Sequence, residues 1–282
     1  MRINDCGSRG IIASSDYRAV AIGGGAAHAE LLFIDPQVDD LQGLLSNLRT
    51  CVEPVMLDSD APAAAQIAAL LQLRSDVRIV HIMAHGSPGR VHFASGDWST
   101  TSVLRDMGSF AEIGECLGVG GELRLWSCES GAAESGGEFI QMLEQATGIA
   151  VCASATPVGA AALGGTWWLG RHQARPPLTQ VGVGSYAGVL APEITVTGSI
   201  ANGPTTANVT YFVVDRGRNA VVGNITLPDA STVSHAFRLN VQVPNPSGSL
   251  DVGSFDDSGK FVSAGFTVEG GQLPAGAVGP QG

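Results

Sequence analysis

The chain has 282 residues, of which 44% are hydrophobic and only 15% charged, so wholesale disorder is excluded and a large buried core is affordable in length. Its formal charge of -11 argues against nonspecific binding to nucleic acid or to an anionic membrane. Five cysteines at wide spacing, with no C-x-x-C pair, give neither a zinc site nor a dense disulfide framework.

Residues 1–29 are rich in Gly, Ala and Ser and read as a loose arm. The start, Met1 to Asp16, lacks the basic, apolar, small-residue order of a signal peptide, and no run approaches the length of a membrane span. From Leu31 the pattern changes. Leu31-Leu32-Phe33-Ile34 is a continuously apolar run closed by Asp35-Pro36, as a strand buried on both faces requires. Leu41, Leu44, Leu45 and Leu48 recur at helical spacing. Val52 to Leu57 predicts a second strand, and Pro54 suits it to a sheet edge. Asp58, Ser59 and Asp60 offer N-caps for an Ala-rich helix through Leu73.

Val77 to Ala84 predicts the third strand, residues 89–99 a polar hairpin or loop, and residues 101–117 one or two short helices. Leu123 to Trp126 is the fourth strand, a helix over 133–147 follows, and Ile149 to Ala153 is the fifth, with Trp167-Trp168-Leu169 as a closing strand. Strands alternating with helices at this spacing predict a parallel α/β sheet with helices on both faces over residues 30–172. Residues 173–192 read as a linker. Beyond it Ile194–Thr197, Asn208–Val214, Ala220–Leu227, Ala236–Val243 and Lys260–Val268 alternate apolar and polar residues, which predicts a small antiparallel β-domain over 193–270, a sandwich or part of one. The Gly/Pro-rich tail 271–282 is expected to be flexible.

Two strand ends carry the chemistry. The third strand runs into His85-Gly86-Ser87-Pro88-Gly89, and the fourth into Ser127-Cys128-Glu129-Ser130-Gly131. In open parallel sheets, ligands bind outside the carboxyl ends of the strands. As sheet neighbours, the two ends would lie about 5 Å apart. A free thiol is weakly ionised at neutral pH, so an adjacent imidazole is what a nucleophilic Cys128 needs. The backbone N–H groups of Gly86 and Cys128 are the candidates for an oxyanion hole, and the N-terminus of the helix at 133 would favour negative charge nearby.

The His-Gly and Ser-Cys-x-Ser-Gly strings at two strand ends resemble the His and Cys motifs of caspase-like (clan CD) cysteine peptidases, which include caspases, separases, gingipains and clostripain. Ser127-Cys128-Glu129-Ser130-Gly131 is similar to the separase and CHAT-type version. A closer resemblance is to a bacterial domain of unassigned function in that superfamily, found near the N-termini of large repeat-rich surface and secreted proteins. Phe33-Ile34-Asp35, Ala84 to Gly89, Ser127-Cys128-Glu129, Ala153-Ser154-Ala155-Thr156 and Ala161 to Trp167 carry it. The resemblance covers about residues 30–170. It implies a caspase-like fold and a Cys128–His85 dyad acting on a protein or peptide substrate, with Asp35, Ser127, Glu129 and Ser154 at the substrate rim. It also implies a bacterial, secreted or cell-surface setting. Glu129 replaces the family's usual Asp, and Cys152 stands where an acid is common. With Asp35 retained, an Arg or Lys before the scissile bond is the expected preference. Caspase-like enzymes often process themselves, so self-cleavage within the 171–192 linker, for example after Arg171 or Arg175, is a further expectation.

Other readings of the same residues stay open. A lone cysteine in an α/β protein is more often an inert core residue than a nucleophile, which leaves a catalytically inactive caspase-like scaffold in an adhesion or assembly module. A nucleotide- or flavin-binding domain is weakened because no G-x-G-x-x-G follows the first strand. His81 and His85 have zinc-pair spacing only on a helix; on a strand they stand about 13 Å apart, so His81 reads as a satisfied core histidine. His92 reads as a solvated loop residue or a substrate contact. Arg124, inside a core strand, calls for an acidic partner. No cofactor is expected; Asp251, Asp256 and Asp257 suggest calcium activation without a spaced loop motif, so turn residues are the default.

Overall fold

The computed structural model describes residues 12–13, 30–170, 174–200, 209–216, 220–227, 235–243, 250–256, 258–263 and 266–267. The chain divides into two units, one running to Ala160 and resuming over Thr166–Leu190, the other made of Ala161–Gly165 and the chain from Ala191 on.

The first unit is built on a six-stranded sheet, all of its pairings parallel: β1 (Ile12–Ala13), β3 (Val52–Met56), β2 (Glu30–Ile34), β4 (Ile79–Met83), β7 (Glu122–Trp126) and β8 (Ala150–Ala153), in that order across the sheet. Side chains alternate between faces along a strand. Leu31, Phe33, Val80, Ile82, Leu123 and Leu125 therefore share one face, where they join a core with Ile67, Phe110, Phe139 and Leu143. Those four belong to helices α2 (Ala63–Leu71), α4 (Met107–Leu117) and α5 (Ala133–Thr147). The alternate residues Leu32, Ile34, Met83 and Trp126 are also fully buried. Burial on both faces is what the unbroken apolar runs predict.

The sheet lies at the centre of a mixed α/β unit, as the alternation of strands and helices predicts, and the hairpin expected over 89–99 is a small pair, β5 (His85–Ser87) with β6 (Arg90–His92). Helix α3 (Thr100–Arg105) follows, started by a Ser99–Ser102 capping box, and α1 (Leu41–Ser46) sits where the leucine spacing puts it.

Four expectations are corrected. Ile12 and Ala13 pair with Val55 and Met56, so part of the arm is sheet, and β3 is covered at its carboxyl end while Pro54 stays outside that pairing. Helix α2 starts at Ala63 behind Pro62 with no side-chain cap: the Asp58 carboxylate accepts from Asp60 N, and Gln66 staples the preceding turn by donating to the carbonyls of Asp58 and Ala61. Residues 167–169 form no strand; Thr166 makes a single parallel bridge to Val158. The stretch 173–192 is not a linker through its described length. It holds α6 (Gln180–Ser185), capped by the Thr179 hydroxyl, and a bridge from Gly159 to Val189, so the first unit extends to Leu190 rather than residue 172.

The second unit contains two antiparallel sheets. One is ordered β11 (Ala220–Leu227), β10 (Val209–Asp215), β13 (Leu250–Phe255), β14 (Phe261–Ser263); the other is β12 (His235–Gln242), β9 (Glu193–Ile200), β15 (Phe266–Thr267). Tyr211, Val213, Leu250 and Val252 from the first meet Val196, Phe237 and Val241 from the second in one core, the arrangement of a sandwich. Strand β13 falls where the sequence pattern suggests a turn at Asp251. The Asp251 carboxylate pairs with Arg216 and accepts from Ser263, and Asp256 accepts the N–H groups of Ser258 and Lys260, while Asp257 and residues 268–282 lie outside the described residues.

Candidate functional site

The site forms where β4 and β7 end. Their register pairs Met83 with Trp126, so His85 and Cys128 each stand two residues beyond the same rung. The ends then diverge: β4 turns into β5, whose Gly86 lies against the backbone of Cys128. A Cβ on Gly86 would stand 2.6 Å from the Cys128 carbonyl oxygen and 2.8 Å from its nitrogen, so only glycine permits this approach. Gly89 N–H also donates to the Ser130 carbonyl, which ties the loop after β5 to the loop after β7.

The close approach aims two donors at one point. Gly86 N–H and Cys128 N–H both donate to the carbonyl oxygen of Leu190, each at 3.0 Å. Two backbone donors at that separation from a single oxygen are what a developing oxyanion needs. Beside them, the Cys128 thiol is fully buried; its Sγ accepts the Val158 N–H at 3.1 Å and lies 3.6 Å from the Val158 carbonyl oxygen.

His85 is 7% exposed, and its Nε2 lies 2.9 Å from the carbonyl oxygen of Gln37. A carbonyl only accepts, so Nε2 carries the proton and Nδ1 keeps its lone pair. That Nδ1 is buried and has no hydrogen-bond partner among the described residues. The imidazole is thus held in the tautomer that can take a proton. Asp35 reinforces the arrangement: one carboxylate oxygen accepts Gln37 N–H at 2.9 Å and the other accepts Ala94 N–H at 2.8 Å.

Those bonds correct the expected role of Asp35. It is 1% exposed, and it fixes the segment whose carbonyl orients His85 instead of facing a substrate rim. Ser127 and Ser154 are fully buried as well. The Ser127 hydroxyl donates to Ser130, while the Ser154 hydroxyl donates to the Thr156 carbonyl and accepts from Thr156 N–H, so both shape loops. Glu129 is 8% exposed, in a left-handed conformation at φ 54, with its N–H donated to Thr156; neither serine nor this glutamate lines an open rim.

His92 and His81 both have partners. His92 bonds Ser87 Oγ at 2.8 Å and Asp97 at 3.0 Å, so it is tied into its hairpin rather than left in solvent. His81 is fully buried beneath Trp126, whose indole N–H donates to Nδ1 at 2.9 Å, while Nε2 donates to Glu30 at 2.8 Å. Arg49 completes this cluster by pairing with Glu30, and Arg124 finds its acid in Glu122 at 2.8 Å. Cys152 is a buried residue of β8, at 1% exposure. Among the described residues no group of three or more His, Cys, Asp or Glu could hold a metal, and no helix is long and apolar enough to cross a membrane.

Burial pushes the Glu30 carboxyl up, but the hydrogen bonds from His81 and Arg49, with the Arg49 charge, more than offset it and hold the pKa at about 2, below the ordinary 4.5. Burial lowers the pKa of His81 from 6.5 against the pull of Glu30. For both groups the unfolded chain binds protons more readily. The stability they contribute is therefore full above pH 6.5. His81 erodes it as pH falls below 6.5, and Glu30 from 4.5 down to about 2. The thermal midpoint followed across this range should drop with acid in that order. In Glu30→Gln the drop between pH 4.5 and 2 should flatten; an unchanged acid slope would refute this role.

A family model described as a domain of unknown function (DUF4347) matches residues 31–190, more than half of the chain. The chain belongs to that family. The DUF4347 match ends on Leu190, the residue whose carbonyl occupies the two-donor site and the last residue of the first structural unit. No curated protein matches the chain.

Several DUF4347 residues at the site escaped the sequence reading. Gln37, Val158 and Leu190 act through backbone atoms, which leave no mark on side-chain pattern. Gly159, at φ 137, and Tyr186 carry faint marks. Burial pushes the Tyr186 phenol well up, and the charges of Asp39, Cys128 and Asp40 add to it. Its hydroxyl is buried with no hydrogen-bond partner among the described residues, and its ring packs edge-on against Trp167 at 5.7 Å.

Proposed function

We propose that the chain is a cysteine endopeptidase of the caspase-like kind, with Cys128 as nucleophile and His85 as proton carrier. The observation that carries this reading is the convergence of Gly86 and Cys128 N–H groups on one carbonyl oxygen beside the Cys128 thiol. A substrate carbonyl in that position has its oxygen between two donors. Cys128 Sγ attacks the carbonyl carbon, and the thiol proton passes to an imidazole whose Nδ1 is free to accept it. The negative oxygen that develops is held by the two N–H groups. His85 then protonates the leaving amine, and water releases the acyl group from the sulfur. The Gln37 carbonyl, fixed by Asp35, keeps the ring oriented and accepts from the imidazolium.

The expected Arg or Lys preference loses the residue that suggested it, because both Asp35 oxygens serve backbone groups. The resemblance to a bacterial domain of unassigned function found in large surface and secreted proteins supports a bacterial, secreted or cell-surface setting as part of the proposal, with protein or peptide substrates and no cofactor. Calcium activation draws no support from Asp251 and Asp256, which are engaged in local pairing.

A second reading, an inactive scaffold in an adhesion or assembly module, draws on the complete burial of Cys128 and on the second unit's sandwich. Turnover separates the two. The full chain should hydrolyse fluorogenic peptides under reducing conditions, and Cys128→Ala should be inert at equal concentration. Equal rates in the two proteins, or no hydrolysis of a broad peptide library, would favour the scaffold.

A further inference from the structure

We infer that the Leu190–Ala191 peptide bond is itself a substrate of Cys128, so that the protein cuts its own chain there and accepts an aliphatic residue before the scissile bond. The inference rests on the peptidase reading and adds to it the bond and the residue preference.

Residues 188–190 lie as a bound peptide would. Val189 bridges Gly159 in antiparallel fashion, Leu190 N–H donates to the Val158 carbonyl at 2.8 Å, and Ala160 N–H donates to the Gly188 carbonyl at 2.8 Å. The pairing is tight enough that a Cβ on Gly159 would stand 2.3 Å from the Gly188 oxygen, so position 159 is shaped to admit this segment. In a regular antiparallel pair, Val158 and Leu190 would exchange both of their N–H···O bonds. Only one is made. The Leu190 oxygen turns away to Gly86 and Cys128, and the Val158 N–H that it leaves donates to Cys128 Sγ. The sulfur thus takes the place at the Val158 N–H that the Leu190 oxygen would fill in a regular ladder.

Arg171 lies outside the described residues, and Arg175 is exposed. The residue held in the two-donor site is Leu190, which is fully buried. A leucine rather than an arginine or lysine therefore precedes the bond presented to the thiol. Leu190 also ends the first unit and Ala191 opens the longer segment of the second, so the cut falls on one of the unit boundaries.

The chemistry balances without any group beyond water. Cys128 Sγ bonds to the Leu190 carbonyl carbon, and its proton moves to His85 Nδ1. The Leu190–Ala191 C–N bond breaks, and His85 returns the proton to the Ala191 amine. Water, losing a proton to His85, then adds to the thioester and leaves a Leu190 carboxylate and a regenerated thiol.

The test is intact-mass and N-terminal analysis of the full chain incubated under reducing conditions at two protein concentrations. The expected products are residues 1–190 and 191–282, the second beginning Ala191-Pro192-Glu193. Their rate should be independent of concentration, because the bond is presented within one chain. Cys128→Ala should stay intact, Leu190→Met should cut within a few-fold of wild type, and Leu190→Arg should slow about tenfold or more. A chain that stays intact, or cuts after another residue, while hydrolysing added peptides would overturn this inference and leave the peptidase reading standing. A chain that does neither would overturn both.

Discussion

His85→Ala is expected to lower peptide hydrolysis by about 10²–10⁴-fold, the range a positioned general base contributes. The imidazole Nδ1 is buried with no hydrogen-bond partner among the described residues, and its Nε2 is committed to the Gln37 carbonyl. Removing it leaves Cys128, Gly86 and the two backbone donors in place, because they are held by main-chain bonds. The loss should therefore fall on turnover, with KM moved little. The folded state loses one hydrogen bond to a carbonyl, which costs about 1 kcal/mol. Steady-state kinetics with circular dichroism melting would separate these effects. A variant that keeps wild-type turnover would remove His85 from the mechanism.

Gly86→Ala is expected to damage both activity and fold. The added methyl would meet the Cys128 oxygen at 2.6 Å, the Cys128 nitrogen at 2.8 Å and the Ser127 Cβ at 2.8 Å. Two of these are backbone atoms, with no flexible end to yield. Overpacking of this kind costs about 1–3 kcal/mol. The relief available is to separate β5 from the Cys128 loop, which pulls one donor off the oxyanion position. Loss of one such donor lowers turnover by about 10²–10³-fold. Activity should thus fall further than stability accounts for, and urea titration beside the kinetics would show it. Wild-type turnover in a stable Gly86→Ala protein would mean that the two N–H groups do not act on the reacting oxygen.

The parts of the fold carried by side-chain pattern were legible. The apolar runs at Leu31 and Val77, with His-Gly and Ser-Cys at two strand ends, pointed to neighbouring parallel strands, and β4 and β7 are neighbours in the sheet. What depends on main-chain pairing was not legible. Residues 173–192 contain Pro176, Pro177, Gly182, Gly184 and Gly188 and have the composition of a linker. Yet Leu190 is held through its own N–H and carbonyl, a contact to which its side chain gives no clue. Polar residues beside the motifs misled in the opposite sense. Asp35, Ser127 and Ser154 look like site residues because they flank the strand ends. They are buried there because the loops expose N–H and carbonyl groups that need partners, and short polar side chains supply them. Strand β13 was hidden by Asp251 and Gly253, which read as turn punctuation although Leu250, Val252 and Ser254 alternate with them.

The central claim is that Cys128 is a nucleophile activated by His85. Peptide mapping by mass spectrometry after exposure of the full chain to a peptidyl acyloxymethyl ketone tests it most directly. The account predicts an adduct on Cys128 in the wild type, its disappearance in His85→Ala, and no adduct on Cys51, Cys116 or Cys152. Labelling confined to those other cysteines, or equal labelling of Cys128 with and without His85, would contradict it.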